Sequence, residues 1–325
     1  MSKFSLLVAA SLLAAAPALA EVPHVVTDIA PVHSLTAQVM KGVGEPVLLV
    51  APGQSPHSYA LRPSQAKALE QAGLVVWVGH PLTPWLEKPL EALAAKADKL
   101  ELIEGKGTIE RHYRGAADIM AEADHDHAAE AGHDHDHAEV AADDDGHHHD
   151  HNGPDPHAWL DPENGKVWLG LIADKLAALD PEHAEIYRAN AAAGQARIDA
   201  VEQDILAKVE PMAGVPFVSY HDAFQYFELR YGLALVGRVT ASDAADPSPA
   251  HLAQLRDRLD DLGVRCAFTE PQFDTRLLKA AVEGRDIPII ELDPLGRSHE
   301  LGPDLYPLLL EDVGASFATC AAILK

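Results

Sequence analysis

Three side chains with metal-binding chemistry directly follow predicted β-strands. His57 lies in the loop PGQSPHSY after the apolar run PVLLVA, His221 follows VPFVSY, and Asp293 follows IPIIEL. Because ligands of open α/β sheets bind outside the carboxyl ends of the strands, these side chains are expected to face one cleft. His157, in DPHAWLDP, lies between two turn-forming Asp-Pro pairs that fix its backbone. Three imidazoles and one carboxylate are suited to bind a transition metal.

The four residues lie far apart in the sequence and form no short motif, so the fold must bring them together. Strand-length apolar runs alternate with helical stretches in both halves of the chain, which predicts an α/β fold with two parallel-sheet lobes. After Pro181, about 30 residues without an internal proline have apolar positions at helical spacing. This pattern predicts one long rigid helix that joins the lobes, with the metal site in the cleft between them.

The predicted organisation has four parts. They are a signal peptide at residues 1–20, an N-terminal lobe at 21–180, the joining helix at 181–211 and a C-terminal lobe at 212–325.

Acidic charge is concentrated in one internal segment, residues 118–152. The chain has a net charge of −25, and no Lys or Arg occurs between Arg114 and Lys166. This balance excludes nucleic acid and anionic membrane surfaces as partners, because both require basic clusters. Cations are the natural ligands instead. The segment is poor in aromatic and β-branched residues, which predicts a disordered loop inside the N-terminal lobe.

The same segment holds nine of the 19 histidines of the chain. A solvated acidic run would need only Asp and Glu, so the histidines indicate several weak accessory metal-binding sites. They are His125, His127, His133, His135, His137, His147, His148, His149 and His151.

The N-terminus indicates an exported protein, and export determines how the cysteines are interpreted. MSKFSLLVAASLLAAAPALA combines a lysine, an apolar run and a final Ala-Leu-Ala, which is typical of a secretory signal peptide. No later segment is long and apolar enough to span a membrane, so we expect a soluble monomer in the periplasm. In that oxidising compartment the two cysteines, Cys266 and Cys320, are predicted to form a structural disulfide.

Four sequence blocks resemble, in order, the signature blocks of the metal-binding solute receptors of ABC importers, in particular the zinc-specific ZnuA type. The blocks are SPHSYALRPSQAKALEQAGLVVWVGHPLTPWLEK, DPHAWLDPENGKVW, SYHDAFQYFELRYGL, and TEPQFDTRLLKAAVEG with ELDPLG. The resemblance covers nearly the whole mature chain. It implies two α/β lobes joined by one helix, a metal ion in the cleft, and an inner-membrane permease with its ATPase as partner.

The resemblance also implies a ligand set. The family's ligands fall on His57, His157 and His221, where manganese-type relatives have a carboxylate at the position of His221. A third imidazole favours zinc, because nitrogen suits zinc better than manganese. Some zinc-binding members have Glu immediately before the first ligand, but Pro56 occupies that position here.

The fourth ligand is therefore left to Asp293 or to water. Asp293 matches the carboxylate position of relatives, although it could instead cap the turn DPLG. Glu270 is a less favoured substitute and is expected to be a neighbour of the metal ligands.

Two other functions compete with a zinc receptor. A periplasmic zinc hydrolase would need an open coordination position and a general base, for which Asp222 or Glu270 would be the candidates. A closed four-ligand site argues against an enzyme. A surface adhesin of the same fold is the second alternative, and the ligand types alone do not separate zinc from manganese, copper, nickel or cobalt.

Overall fold

The computed structural model describes residues 22–115, 119, 153–240 and 249–323. The predicted signal peptide and the predicted His-rich loop, apart from Ile119, lie outside these residues. In the part of the chain that the structure describes, no helix has the length and apolar character needed to cross a membrane.

The first lobe is built on a parallel sheet with the strand order β2-β1-β3-β4. The two central strands, β1 and β3, are buried along their whole length, which explains their mostly apolar sequence. A proline in the first turn starts α1, α2 and the later helix α4. The elements are β1 Val25–Thr27, α1 Ala30–Met40, β2 Val47–Leu48, α2 Pro63–Glu70, β3 Leu74–Trp77, α3 Glu87–Leu93, β4 Asp98–Glu101 and α4 Pro162–Leu179.

The helix α5, Ala184–Val209, links this lobe to the second. Its 26 residues would span about 39 Å at 1.5 Å per residue. Gly194 lies near the middle of α5, and the helix continues through it. A Cβ atom at this position would come within 2.8 Å of Leu169 on α4 and 2.9 Å of Gln38 on α1, so only glycine allows these side chains to pack so closely. The glycine therefore permits close helix packing rather than weakening the helix.

The second lobe repeats the plan with a parallel sheet of order β6-β5-β7-β8. Gly232, in the left-handed conformation with φ 66°, ends helix α6. The elements are β5 Pro216–Ser219, α6 Gln225–Tyr231, β6 Ala234–Arg238, α7 Pro249–Arg258, β7 Cys266–Thr269, α8 Arg276–Val282, β8 Ile289–Glu291 and α9 Leu305–Ile323.

One hydrophobic core extends through both lobes. The last helix, α9, packs against α5 and against α1 of the first lobe, and Phe317 belongs to the same buried cluster as Val32, Leu169 and Ile198. At the N-terminal end of α9, the backbone N–H of Tyr306 donates to Ser34 Oγ on α1 at 2.9 Å. The predicted architecture of two α/β lobes joined by one long helix is confirmed, and the shared core adds a second connection between the lobes.

Cys266 on β7 and Cys320 on α9 form a disulfide, and both residues are fully buried. The bond links the second sheet to the helix that packs against the first lobe. It closes a loop with a sequence separation of 54 residues.

Replacing both cysteines by alanine should lower the free energy of unfolding of the metal-free protein by about 2–4 kcal/mol, because the unfolded chain loses a long cross-link. Urea denaturation followed by circular dichroism would measure the change. Reduction of the unchanged protein should produce a similar loss, whereas the double variant should not respond to reductant. An unchanged denaturation midpoint in the double variant would contradict this prediction.

Candidate metal centre

Three histidines from both lobes converge on one point. His57 comes from the loop between β2 and α2, His157 immediately precedes a short 3-10 turn before α4, and His221 follows β5. One ring nitrogen of each lies within 4.8 Å of the others, and His57 Nε2 is 3.3 Å from His157 Nε2. Among the described residues, this is the one group of three or more His, Cys, Asp or Glu side chains with such geometry.

The spacing of the His57 and His157 nitrogens suits a tetrahedral metal ion. Two nitrogens bound at about 2.0–2.1 Å to a tetrahedral zinc ion lie about 3.3 Å apart. His157 and His221 are each 3% exposed, while His57 is half-buried. The three imidazoles can therefore bind a transition metal in a site that is more open on the side of His57.

Asp155 fixes the orientation of His157. Its Oδ1 accepts hydrogen bonds from the backbone N–H of His157 at 3.0 Å and from His157 Nδ1–H at 2.7 Å, which leaves Nε2 directed to the site. The side-chain amide of Gln225 satisfies its neighbours when its nitrogen faces Asp155, and this nitrogen then donates to Asp155 Oδ2 at 3.0 Å. Tyr226 Oη donates to the carbonyl of Asp155 at 3.0 Å. Since Gln225 and Tyr226 lie on α6, Asp155 connects His157 to the second lobe.

Glu270 performs the equivalent task for His221. Its buried Oε1 accepts a short hydrogen bond from His221 Nδ1–H, and its Oε2 accepts one from Gln272 at 2.7 Å. The carbonyl of His221 accepts a hydrogen bond from Ser219 Oγ at 2.6 Å. Glu270 is thus a neighbour of the histidine group, and such partners fix the tautomer and raise the basicity of a ligand.

A buried ionic cluster lies beside His221. Asp222 binds both Arg114 and Arg238, and Arg114 also binds Glu228 at 2.8 Å. Burial has the largest influence on the pKa of Glu228 and raises it to about 7, while Arg114 lowers it and Asp222 raises it. Burial lowers the pKa of Arg114, but the carboxylates of Glu228 and Asp222 raise it by more. Asp222, a predicted base for a hydrolase, is therefore occupied by two guanidinium groups.

Asp293, the fourth predicted ligand, lies outside the histidine group. Its Oδ1 accepts backbone N–H groups of Leu295 and Gly296 at 3.0 Å each, and its Oδ2 accepts that of Arg297. In this structure the carboxylate caps the DPLG turn, as the sequence also allowed, because the amides of Leu295, Gly296 and Arg297 point at it.

The nine predicted accessory histidines, from His125 to His151, lie outside the described residues. The described residues on either side of them are paired. Tyr113 N–H donates to the carbonyl of Gly153 at 3.1 Å, and Asp155 N–H donates to that of Arg111 at 2.7 Å. This pairing, together with the bond of Asp155 to His157, brings both flanks of the segment next to the histidine group.

Sequence reasoning missed Asp155 and Arg114. The Asp-Pro-His spacing could have indicated Asp155, since an Asx side chain often bonds the backbone two residues on. No local signal indicated Arg114, because its partners lie in the other lobe.

Comparison with solved structures identifies the fold. The SBP FpvC from Pseudomonas aeruginosa in complex with Mn²⁺ superposes with a TM-score of 0.75 at 19% identity, covering 94% of this chain and all of that one. A ZnuA deletion mutant with zinc bound gives a TM-score of 0.72 at 22% identity, covering 92% and 98%. These similarities identify the fold as that of two-lobed solute-binding proteins.

Sequence comparison then defines the family. The family model "ZnuA: Zinc-uptake complex component A periplasmic" matches residues 25–320. The high-affinity zinc uptake system protein ZnuA of Paracoccus denitrificans is 43% identical over 318 residues, with 97% of both chains covered. The chain belongs to the ZnuA family. This family consists of receptors for zinc uptake, not enzymes, which confirms the predicted resemblance and disfavours the hydrolase.

Replacing Asp155 by alanine should weaken binding of a transition metal at the three histidines about 10–100-fold, because His157 loses the partner that orients its ring. Competition with a chromophoric chelator would measure the affinity. Asp304→Ala is the control, since Asp304 is 67% exposed and pairs with Arg197. Equal affinities for the two variants would contradict the assigned role of Asp155.

Proposed function

We propose that this chain is a periplasmic receptor that binds a zinc ion between His57, His157 and His221 and delivers it to an ABC importer. The observation that carries the proposal is the convergence of three ring nitrogens from two lobes within 4.8 Å. Membership of the ZnuA family and the name of the Paracoccus relative support zinc uptake as the process served.

The ligand types favour zinc as the cargo. Three neutral imidazoles suit zinc better than manganese, which prefers oxygen ligands. Water completes the tetrahedron, or Asp293 does so after leaving its turn amides. Copper, nickel and cobalt also bind imidazole, so a competitive titration with several divalent metals is needed to measure selectivity.

The cellular setting follows from the same proposal. Residues 1–20 act as a signal peptide that exports the chain to the periplasm, and the family description supports that location. The partners are an inner-membrane permease and its ATPase. The protein acts as a monomer that carries one tightly bound ion.

The His-rich segment serves as an accessory zinc-binding element. Its nine histidines and many carboxylates attract cations and bind them weakly. Support comes from the flanking pairs Tyr113–Gly153 and Arg111–Asp155, which bring the ends of the segment beside the histidine group.

Replacing His57, His157 or His221 singly by alanine should reduce zinc affinity by at least about tenfold, since each change removes one of the metal's ligands. Isothermal titration with a competing chelator would measure the loss. His80→Ala is a matched control, because His80 is 57% exposed and pairs with Glu87. Unaltered affinity in the three variants would refute the ligand set.

A variant with His57, His157 and His221 all replaced by alanine tests delivery. Zinc-loaded protein should stimulate ATP hydrolysis by the cognate permease and ATPase in proteoliposomes, and the triple alanine variant should not. Stimulation by the triple variant would contradict the proposal.

Removal of residues 121–151 should lower the number of zinc ions bound and spare one tight site, because the three proposed ligands lie elsewhere. The deletion should retain Ile119, which is 2% exposed and belongs to the shared core. Titration calorimetry would count the sites. A full-length variant with the nine histidines replaced by asparagine controls for chain length. Loss of the tight site in both variants would show that the segment forms part of it.

A further inference from the structure

Arg114 lies at the end of a short paired segment that also supports His157. Residues 111–113 run beside residues 153–155, held by the Tyr113–Gly153 and Asp155–Arg111 hydrogen bonds. His157 follows two residues beyond Asp155 and is bonded to it. The backbone of Arg114 therefore directly continues the paired segment that contains Asp155, the partner of His157.

The side chain of Arg114 reaches into the second lobe. Its Nε donates to Asp222 Oδ2 at 3.1 Å, and its Nη2 donates to Asp222 Oδ1 and pairs with Glu228 Oε2 at 2.8 Å. The side chains of Arg114, Asp222 and Glu228 are 7%, 3% and 1% exposed. Buried, two-point contacts of this kind are more directional than surface ion pairs.

Asp222 is the residue directly after His221, so its position limits where the imidazole can lie. Arg238 also donates to Asp222, at 3.2 Å, but it comes from β6 in the same lobe as His221. Arg114 is the member of the cluster that comes from the first lobe. Through Asp222, Arg114 therefore connects His221 to the lobe that contains His57 and His157.

We propose that Arg114 is a positioning residue for zinc binding. By holding Asp222 against the paired segment that supports His157, it keeps His221 within ligand distance of His57 and His157. This inference rests on the proposed function. Zinc–nitrogen bonds tolerate only about 0.2 Å of variation, so a small shift of one lobe against the other weakens binding without removing any ligand.

Arg114→Met should weaken zinc affinity about 10–100-fold, as loss of other outer-shell partners does, while one ion is still bound. Chelator competition would measure the affinity. The absorption spectrum of the cobalt-substituted protein would report the change in coordination geometry. Arg285→Met is the matched control, since Arg285 binds both carboxylate oxygens of Asp260 at 2.9 Å within the second lobe. It should leave both zinc affinity and the cobalt spectrum unchanged.

A double-mutant cycle separates positioning from general destabilisation. In a His221→Ala background, Arg114→Met should cause no further loss of zinc affinity, because the side chain that it positions is already absent. Multiplicative losses in the cycle, or an unchanged affinity for Arg114→Met alone, would overturn the inference while leaving the proposed function intact. If His221→Ala binds zinc as tightly as the unchanged protein, the ligand set itself fails.

Arg114→Lys provides a second route if Arg114→Met does not fold. Lysine retains the charge but lacks the planar fork that binds Asp222 at two points, so it should weaken zinc binding less than methionine does and still shift the cobalt spectrum. An affinity and spectrum equal to those of the unchanged protein would refute the positioning role, because charge alone would then suffice.

Discussion

The proposed zinc site depends on holding two lobes in register to within a fraction of an ångström, because its histidines are divided between them. His57 and His157 come from the first lobe and His221 from the second. A joining helix alone would leave the lobes free to bend about its ends. Helix α9 removes much of that freedom by packing on α1 and α5, and the Cys266–Cys320 disulfide fixes it to the second sheet. The shared core thus keeps the three histidines in position as well as stabilising the fold.

Charge has different roles at long and short range. The net charge of −25 attracts cations over the whole surface, and the segment 118–152 contributes heavily to it. The histidine group itself contains no carboxylate, and the nearest carboxylates lie one layer away at Asp155 and Glu270. This arrangement makes the imidazoles better donors without turning the site into a general acidic cluster, which would favour metals that prefer oxygen.

Sequence reasoning was successful where a local pattern determines the outcome. Alternating strands and helices predicted both lobes, and strand ends together with the family blocks predicted three histidines that the structure brings together. It could not decide the orientation of Asp293, because the choice between metal and turn depends on where three backbone amides point. Arg114 was not predictable either, because its role arises only when residues from different lobes meet.

The same packing indicates how an ion can reach the histidines. Separating the lobes would expose Tyr306 of α9, which is fully buried and bonds Ser34 and the carbonyl of Trp159 in the first lobe. Burying a large apolar side chain contributes about 1.5–3 kcal/mol. His157 and His221 are held by buried carboxylates, whereas His57 lies in the half-exposed loop between β2 and α2. Movement of that loop would expose less buried apolar surface to water than separation of the two lobes would. The approach past His57 is therefore the less costly route into the site.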